Sequence, residues 1–215
     1  MVRQRCVEAD DTCPMTGAPR PERFDAAYYR RFYGRSPVQS AARVARLAAG
    51  VLGLAGWWGI PIRSVLEVGA GPGHWGRWLC AHRPAVRYYG TDVSAYACSR
   101  YGHQQRDIAA WHAPRAVDLA VCQGVLHYLD DSAAERAIEN IAASTRSLAY
   151  LEVPTAEDRV DVLDLRRTDS DANWRSAAWY RERLTTHFVE LGCGLHYVRN
   201  GSALFYSLER SDPKR

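Results

Sequence analysis

A chain of 215 residues, 47% hydrophobic and 24% charged, is long enough for one well-cored domain and has the balance of an ordinary globular protein, not of a fibrous or disordered one. Its formal charge of +4 comes almost wholly from arginine, and Arg43, Arg63, Arg77, Arg106, Arg136 and Arg175 are spread along the chain, which argues against a nucleic-acid stripe. Six cysteines without a C-x-x-C pair indicate neither a zinc site nor a disulfide framework, so no metal is expected.

Residues Met1 to Pro21 are polar and proline-rich and read as a disordered leader that includes Cys6 and Cys13. They contain no apolar run of secretory type, so a cytoplasmic location is expected. A short helix is expected over Glu22–Phe32, and a second from Ser36 as N-cap with Pro37 in its first turn. The apolar stretch Leu47–Ile62 is too short for a confident membrane span. Val44, Leu47, Val51, Leu54 and Trp58 recur at helical spacing instead, as one face of a core-packed helix. Residues 22–62 thus read as a helical cap on a core of residues 63–215, the two forming a single domain.

From Arg63 onward, strand-like runs alternate with helix-like ones. The strands are Ser64–Val68, Val86–Gly90, Val117–Cys122 and Leu148–Val153, with a weaker one at His103–Asp107. The helices are Gly73–His82, Ala95–Tyr101 and Ser132–Arg146, the last opened by a capping box of Ser132 with Glu135. Cys80 and Cys122 fall inside these periodic segments and read as small buried hydrophobes. Such a rhythm predicts βαβ units and a parallel sheet, with a ligand site beyond the strands' carboxyl ends. At the end of the chain, a helix carrying Tyr180, Leu184, Phe188 and Leu191 on one face is expected to stop at Gly192. A hairpin of Leu195–Arg199 and Ala203–Glu209, turning at Asn200-Gly201, should follow it.

The chemistry concentrates at Glu67-Val68-Gly69-Ala70-Gly71-Pro72-Gly73, where the first strand passes into a helix. Glycines there let the backbone turn tightly and let a ligand approach it. A dinucleotide fingerprint would need a third glycine at position 74, which is His74. Glu67 would repel a pyrophosphate but attract a cation, so the turn suits a positively charged cofactor such as S-adenosylmethionine. Asp92, followed by Val93, stands at the second strand end, where it can accept from ribose hydroxyls. Asp107 ends the weak third strand and can accept from an adenine amino group while Ile108 packs on the ring.

With V-L-E-V-G-A-G-P-G, G-T-D, D-I and V-D-L-A-V-C-Q-G-V-L-H-Y-L in this order, the chain resembles the class I S-adenosylmethionine-dependent methyltransferases from about Phe24 to Glu209. The resemblance implies a Rossmann-like three-layer sandwich with a mostly parallel seven-stranded sheet ending in an antiparallel hairpin. It assigns Glu67, Gly69, Ala70, Gly71 and Gly73 to the cofactor turn, and Asp92, Val93, Asp107 and Ile108 to the adenosine. Gln123 and Gly124 would line the methionine end, and Tyr28, Tyr29 or Tyr33 of the N-terminal cap would touch the cofactor's carboxylate.

For the acceptor, methyl transfer is an in-line displacement that needs a base only when the nucleophile is protonated. His127, just beyond the fourth strand, and Glu152, ending the fifth, are the candidate catalytic residues. Asp169, Trp174, Trp179 and Tyr180 form either an aromatic pocket wall or a packed lid segment. The fourth strand ends in C-Q-G-V and lacks the N/D-P-P-Y that resembles methylases of exocyclic amines on nucleic-acid bases. A small metabolite, methylated at oxygen or nitrogen, is therefore the expected acceptor, with no membrane or nucleic-acid partner. Two alternatives stand beside this reading, an NAD-type oxidoreductase and a catalytically idle cofactor-binding partner subunit.

Overall fold

The computed structural model describes residues 23–34, 37 and 39–211. The predicted leader with Cys6 and Cys13, and the predicted N-cap Ser36, lie outside the described residues. Helix α1 (Ala26–Tyr33) opens at Asp25, whose carboxylate accepts from the Ala27 and Tyr28 amides at 2.9 Å. Helix α2 (Ala41–Trp57) starts later than the sequence suggested: Ser40 is its N-cap, and Pro37 precedes it. Its buried stripe is Val44, Ala48, Val51 and Ala55, rotated from the predicted face, so Leu54 is left 42% exposed. Small alanines on that stripe let α2 lie close to the sheet.

The sheet is built from β1 (Ser64–Val68), β2 (Arg87–Asp92), β3 (Gln104–Gln105), β4 (Val117–Gln123), β5 (Thr145–Glu152), β6 (Phe188–Gly192) and β7 (Leu195–Val198). They lie in the order β3-β2-β1-β4-β5-β7-β6, with β7 antiparallel to both its neighbours and the pairs from β3 to β5 parallel. Between β1 and β4 the strand order reverses, which opens a crevice at the strands' carboxyl ends. Helices α3 (His74–His82), α4 (Ala95–Tyr101) and α5 (Asp131–Ala143) connect the parallel strands, and α6 (Ala156–Asp161) and α7 (Ala177–Leu184) fill the passage from β5 to β6.

Period-two alternation splits the core into two layers. Val65, Leu119, Val121, Leu148 and Tyr150 pack with α2 and α3 on one face. Leu66, Val68, Ala120, Cys122, Ala149 and Leu151 pack with α5 and α7 on the other. Cys122 is buried as expected, but Cys80 is exposed, because Leu79 takes the inward position of α3.

Two local expectations are corrected. Asp130, not Ser132, caps α5, with its carboxylate 2.8 Å from the Ala133 amide. Ser132 and Glu135 instead meet arginine side chains, Arg136 and Arg183 respectively. The second correction is the C-terminal hairpin. The last helix ends at Leu184, Phe188–Gly192 is a strand, and the hairpin turns at Cys193-Gly194, with φ of 51° and 79°. Both central residues are left-handed, as a two-residue turn matched to strand twist requires. Phe188 and Leu191 match a helical interval from Leu184 by coincidence, and Asn200-Gly201 only closes the end of β7.

Candidate functional site

The glycine turn joins β1 to α3 with φ of +65°, +50° and +71° at Gly69, Gly71 and Gly73, so all three positions need glycine. Ala70, buried at the apex, donates to the Thr91 carbonyl at 2.9 Å and ties the turn to β2. A side chain at Gly69 would collide with Val125, so this turn and the loop after β4 are in direct contact.

Asp92, buried at the end of β2, closes the other side. One carboxylate oxygen accepts from the Gly71 amide and the other from the Ser94 amide, both at 2.9 Å. The Tyr29 hydroxyl lies 3.5 Å from the oxygen that Gly71 uses. With about four acceptor positions on a carboxylate, these contacts orient Asp92 and leave it capacity toward the crevice. Val93 is exposed, and its carbonyl accepts from Gln105 at 3.1 Å.

Glu67 sits on the α3 side of β1 and is buried. Burial, with Asp92 nearby, pushes its carboxyl up to about 8, against the lowering pull of the Tyr88 hydroxyl bond and of Arg77. The Tyr88 ring reaches it across Gly76, where a Cβ would come within 2.5 Å of the ring. Glu67 is therefore a neutral carboxyl at pH 7 until a cation is buried beside it. The sequence pointed to Glu67 as a fixed charge; its partner Tyr88 carried no local signal.

Asp107 and Ile108 fall on opposite sides of their turn. Asp107 is exposed, and its carboxylate accepts from the Ala109 amide at 2.9 Å. Ile108 is 5% exposed and belongs to the α5-side core, where its carbonyl accepts from Asn140 at 2.8 Å. The structure keeps it as packing at the edge of the crevice.

Beyond β4, Gln123 is held by two partners: it accepts from the Trp75 indole at 3.3 Å and donates to Glu152 at 3.1 Å. Glu152 also accepts from the Tyr150 hydroxyl at 2.9 Å and from Gln39 at 2.5 Å. Three donors on one carboxylate make it the centre of a fixed network, a poor arrangement for the base role that its strand-end position suggested.

His127 lies in the 3-10 turn Leu126–Tyr128 and is 3% exposed. Its ring stands against Gly124, and its Nδ1 is buried without a hydrogen-bond partner. Burial, with Arg23 and Arg175 nearby, lowers its pKa to about 4 despite the opposing pull of Asp169. It is a neutral imidazole at pH 7 whose Nδ1 has no partner among the described residues, which makes it a candidate for ligand contact. Arg175 holds this turn from below, donating to the Leu126 and Leu129 carbonyls at 3.3 and 2.6 Å and pairing with Asp131 at 2.7 Å.

Helix α1 covers both sides. Tyr33 lies over Gly71, Tyr29 stacks on Tyr33 with ring centroids 5.3 Å apart, and the Tyr28 and Tyr128 hydroxyls meet at 2.9 Å. His103, which sequence reasoning passed over, packs on Gly73 and sits 3.0 Å from the Gly71 carbonyl. Of the proposed acceptor wall, Tyr180 is buried in the core and Trp179 stacks under Arg183 with the guanidinium 3.8 Å from its centroid. Asp169 binds Arg23 at 3.3 Å, and the Asn173 amide donates to the His127 carbonyl at 2.7 Å. That segment is a packed lid, not an aromatic pocket wall.

Residues 66–149 match the family model of the methyltransferase domain. No curated protein matches the chain. Among solved structures, it is similar to magnesium protoporphyrin IX methyltransferase from Synechocystis PCC 6803 with bound SAM, at 17% identity and a TM-score of 0.54, covering 82% of this chain and 93% of that one. The sugar N-methyltransferase KedS8 from Streptoalloteichus sp ATCC 53650 gives a TM-score of 0.55 at 17% identity, covering 90% and 99%. DesVI from Streptomyces venezuelae gives 0.54 at 15%, covering 72% and 90%. The shared feature is the fold, and the family match spans the glycine turn, the β2 acid and the loop after β4.

Proposed function

We propose that this chain, a class I S-adenosylmethionine-dependent methyltransferase, carries the methyl group to an oxygen or nitrogen nucleophile of a small metabolite. One observation carries the reading: the glycine turn, Asp92 and the Gly124–His127 turn meet at the β1/β4 reversal, with an unsatisfied imidazole nitrogen on the acceptor side. That the neighbours include a sugar and a porphyrin methyltransferase agrees with a small acceptor. An oxidoreductase is disfavoured by His74 in place of the third dinucleotide glycine and by the methyltransferase-domain match.

The residues present fit the cofactor. Its cationic end would be held by Glu67 with Gln123 and Gly124, its ribose by Asp92 and Val93, and its adenine beside Asp107, with Ile108 packed beneath that turn. Gly69, Ala70, Gly71 and Gly73 supply open backbone, and Tyr29 closes the site from α1. The bound cofactor supplies a methyl carbon activated by its sulfonium. The chain's own task is alignment and exclusion of water, which α1 and the lid segment perform by covering the crevice. The methyl carbon would pass from the bound cofactor to the nucleophile, with the neutral thioether sulfur as leaving group. His127, a neutral imidazole at pH 7, would accept a hydrogen bond from the nucleophile and orient it, and the released proton would pass to solvent. Glu152 acts through Gln123, as a positioning residue.

Two measurements test this. Calorimetry should show S-adenosylmethionine binding tighter than NADH; the opposite order would sink the reading. The purified chain alone should methylate some member of a panel of small alcohols and amines, and an inert chain that still binds the cofactor would support an idle subunit.

A further inference from the structure

The Gly71–Pro72 peptide of the glycine turn has no amide hydrogen, so its carbonyl is the one polar group by which it can be held. Neighbouring peptides are tied through their amides: Ala70 donates to the Thr91 carbonyl at 2.9 Å, Gly71 to Asp92 at 2.9 Å and Gly73 to the Ala70 carbonyl at 2.8 Å. The Gly71 carbonyl meets a side chain from a distant segment, the His103 imidazole, whose Nε2 lies 3.0 Å away. A carbonyl only accepts, so Nε2 carries the proton and donates it. Burial, with Arg77 nearby, lowers the pKa of His103 against the raising pull of the Gly71 bond and of Asp92. The ring is therefore neutral at pH 7, with Nδ1 as its unprotonated nitrogen.

Local structure brings the imidazole there. Helix α4 is capped by Gly102, whose left-handed φ of 79° turns the chain sharply. The Gly102 and His103 amides both donate to the Cys98 carbonyl, at 2.9 and 3.2 Å. The next two residues, Gln104 and Gln105, pair with Thr91 and Asp92 of β2, which sets His103 beside Gly90. Gly90 has no side chain to block the ring: a Cβ there would come within 2.5 Å of Nδ1. On the turn side, a Cβ at Gly73 would meet the ring at 3.2 Å, and Tyr101 stands against it with centroids 6.2 Å apart.

Gly71 is thus gripped from both sides, its amide by Asp92 and its carbonyl by His103. At φ +50° it has the freedom of a glycine, and removing one anchor releases the peptide that follows it. A turn that presents open backbone to a ligand gains affinity when it is ordered before the ligand arrives.

We propose that His103 is a positioning residue for the cofactor: its Nε2–H locks the Gly71–Pro72 peptide and sets the turn in advance of binding. The proposal rests on the methyltransferase reading for the identity of the ligand, but the ordering of the turn does not.

Deleting the donor and then restoring it tests the idea. His103→Phe keeps an aromatic ring without a donor, and His103→Gln returns an N–H near the Nε2 position. Calorimetry should show S-adenosylmethionine bound about fivefold or more weakly by the Phe variant and within about twofold of wild type by the Gln variant. S-adenosylhomocysteine, which lacks the sulfonium charge, should lose the same factor, because the turn meets either molecule with backbone. In the ligand-free protein, amide exchange at Gly73, whose bond to Ala70 closes the turn, should be faster in the Phe variant and restored in the Gln variant. His103→Leu should repeat the Phe result, which separates loss of the donor from overfilling of the space between Gly73 and Gly90. Wild-type affinity and exchange in the Phe and Leu variants would overturn the proposal. So would a Gln variant as weak as the Phe one, or a loss confined to the charged ligand. If the wild-type chain binds no S-adenosylmethionine, the methyltransferase reading falls, and the exchange comparison still decides whether His103 orders the turn.

Discussion

The cofactor side of the site and its acceptor side meet at Gly124, yet they are held by different means. On the cofactor side, function comes from main chain: a left-handed glycine turn, the Ala70 amide on β2, and Asp92 fixed by two backbone amides. On the proposed acceptor side it would come from side chains on a loop and on an eight-residue helix: His127, Tyr28 and Tyr128. Main-chain features are set by neighbouring residues and tolerate little change. Side-chain features are set by elements far apart in sequence and can be exchanged while the sheet stays as it is. On the proposed reading, one half fixes the reagent and the other is free to choose the target.

The largest effect should break the acceptor side alone. His127→Ala is expected to lower kcat by about a hundredfold, the scale of a misaligned nucleophile, with cofactor affinity within twofold. A matching loss of cofactor affinity in calorimetry would erase the division. Because His127 titrates at about 4, the wild-type rate should show no inflection from this group between pH 6 and 7.

Next comes the cofactor side. Asp92→Ala removes a charged acceptor and should weaken S-adenosylmethionine binding at least tenfold, equivalent to about 1.5–3 kcal/mol.

A smaller, pH-dependent effect should come from Glu67. Its carboxyl is raised to about 8, so the free protein holds it neutral below that pH. A cationic ligand favours the ionised form, so binding releases a proton, and affinity should climb several-fold from pH 6.5 to 8 and then level. Glu67→Gln should flatten that slope. The sign for stability runs the other way: a carboxyl raised above its unfolded value favours the folded state only while protonated. The ligand-free protein should lose stability as pH rises from about 4.5 to about 8, and Glu67→Gln should remove that loss in thermal melts.

The smallest effect is expected from Tyr28→Phe, which deletes one neutral hydrogen bond between α1 and Tyr128 worth about 0.5–1.5 kcal/mol. Stopped-flow measurement should show cofactor release accelerated a few-fold with little change in the chemical step. An unchanged release rate would mean that α1 does not gate the site.

The same division explains what could be read from sequence. The limits of β1 and α4, the glycine turn and Asp92 depend on short-range spacing, and the structure places them where the spacing does. His127 was found because it follows a recognisable strand. Tyr88 under Glu67, His103 over Gly73 and Gln39 on Glu152 depend on contacts between distant segments, and nothing local announces them. The misplaced hairpin has a different cause. Phe188–Leu191 satisfies a helical interval and a strand alternation alike, and pairing with β7 decides between them.

Ser94 has a consequence of its own. It caps α4 directly after the Asp92 loop, and its hydroxyl also donates to the Phe24 carbonyl at 2.5 Å, just ahead of α1. The start of α1 is thereby fastened to the Asp92 loop, where Tyr29 and Tyr33 also lie, while Tyr28 reaches Tyr128 in the loop after β4. A single short helix therefore ties the two loops together, and unfastening it at Ser94 would loosen both.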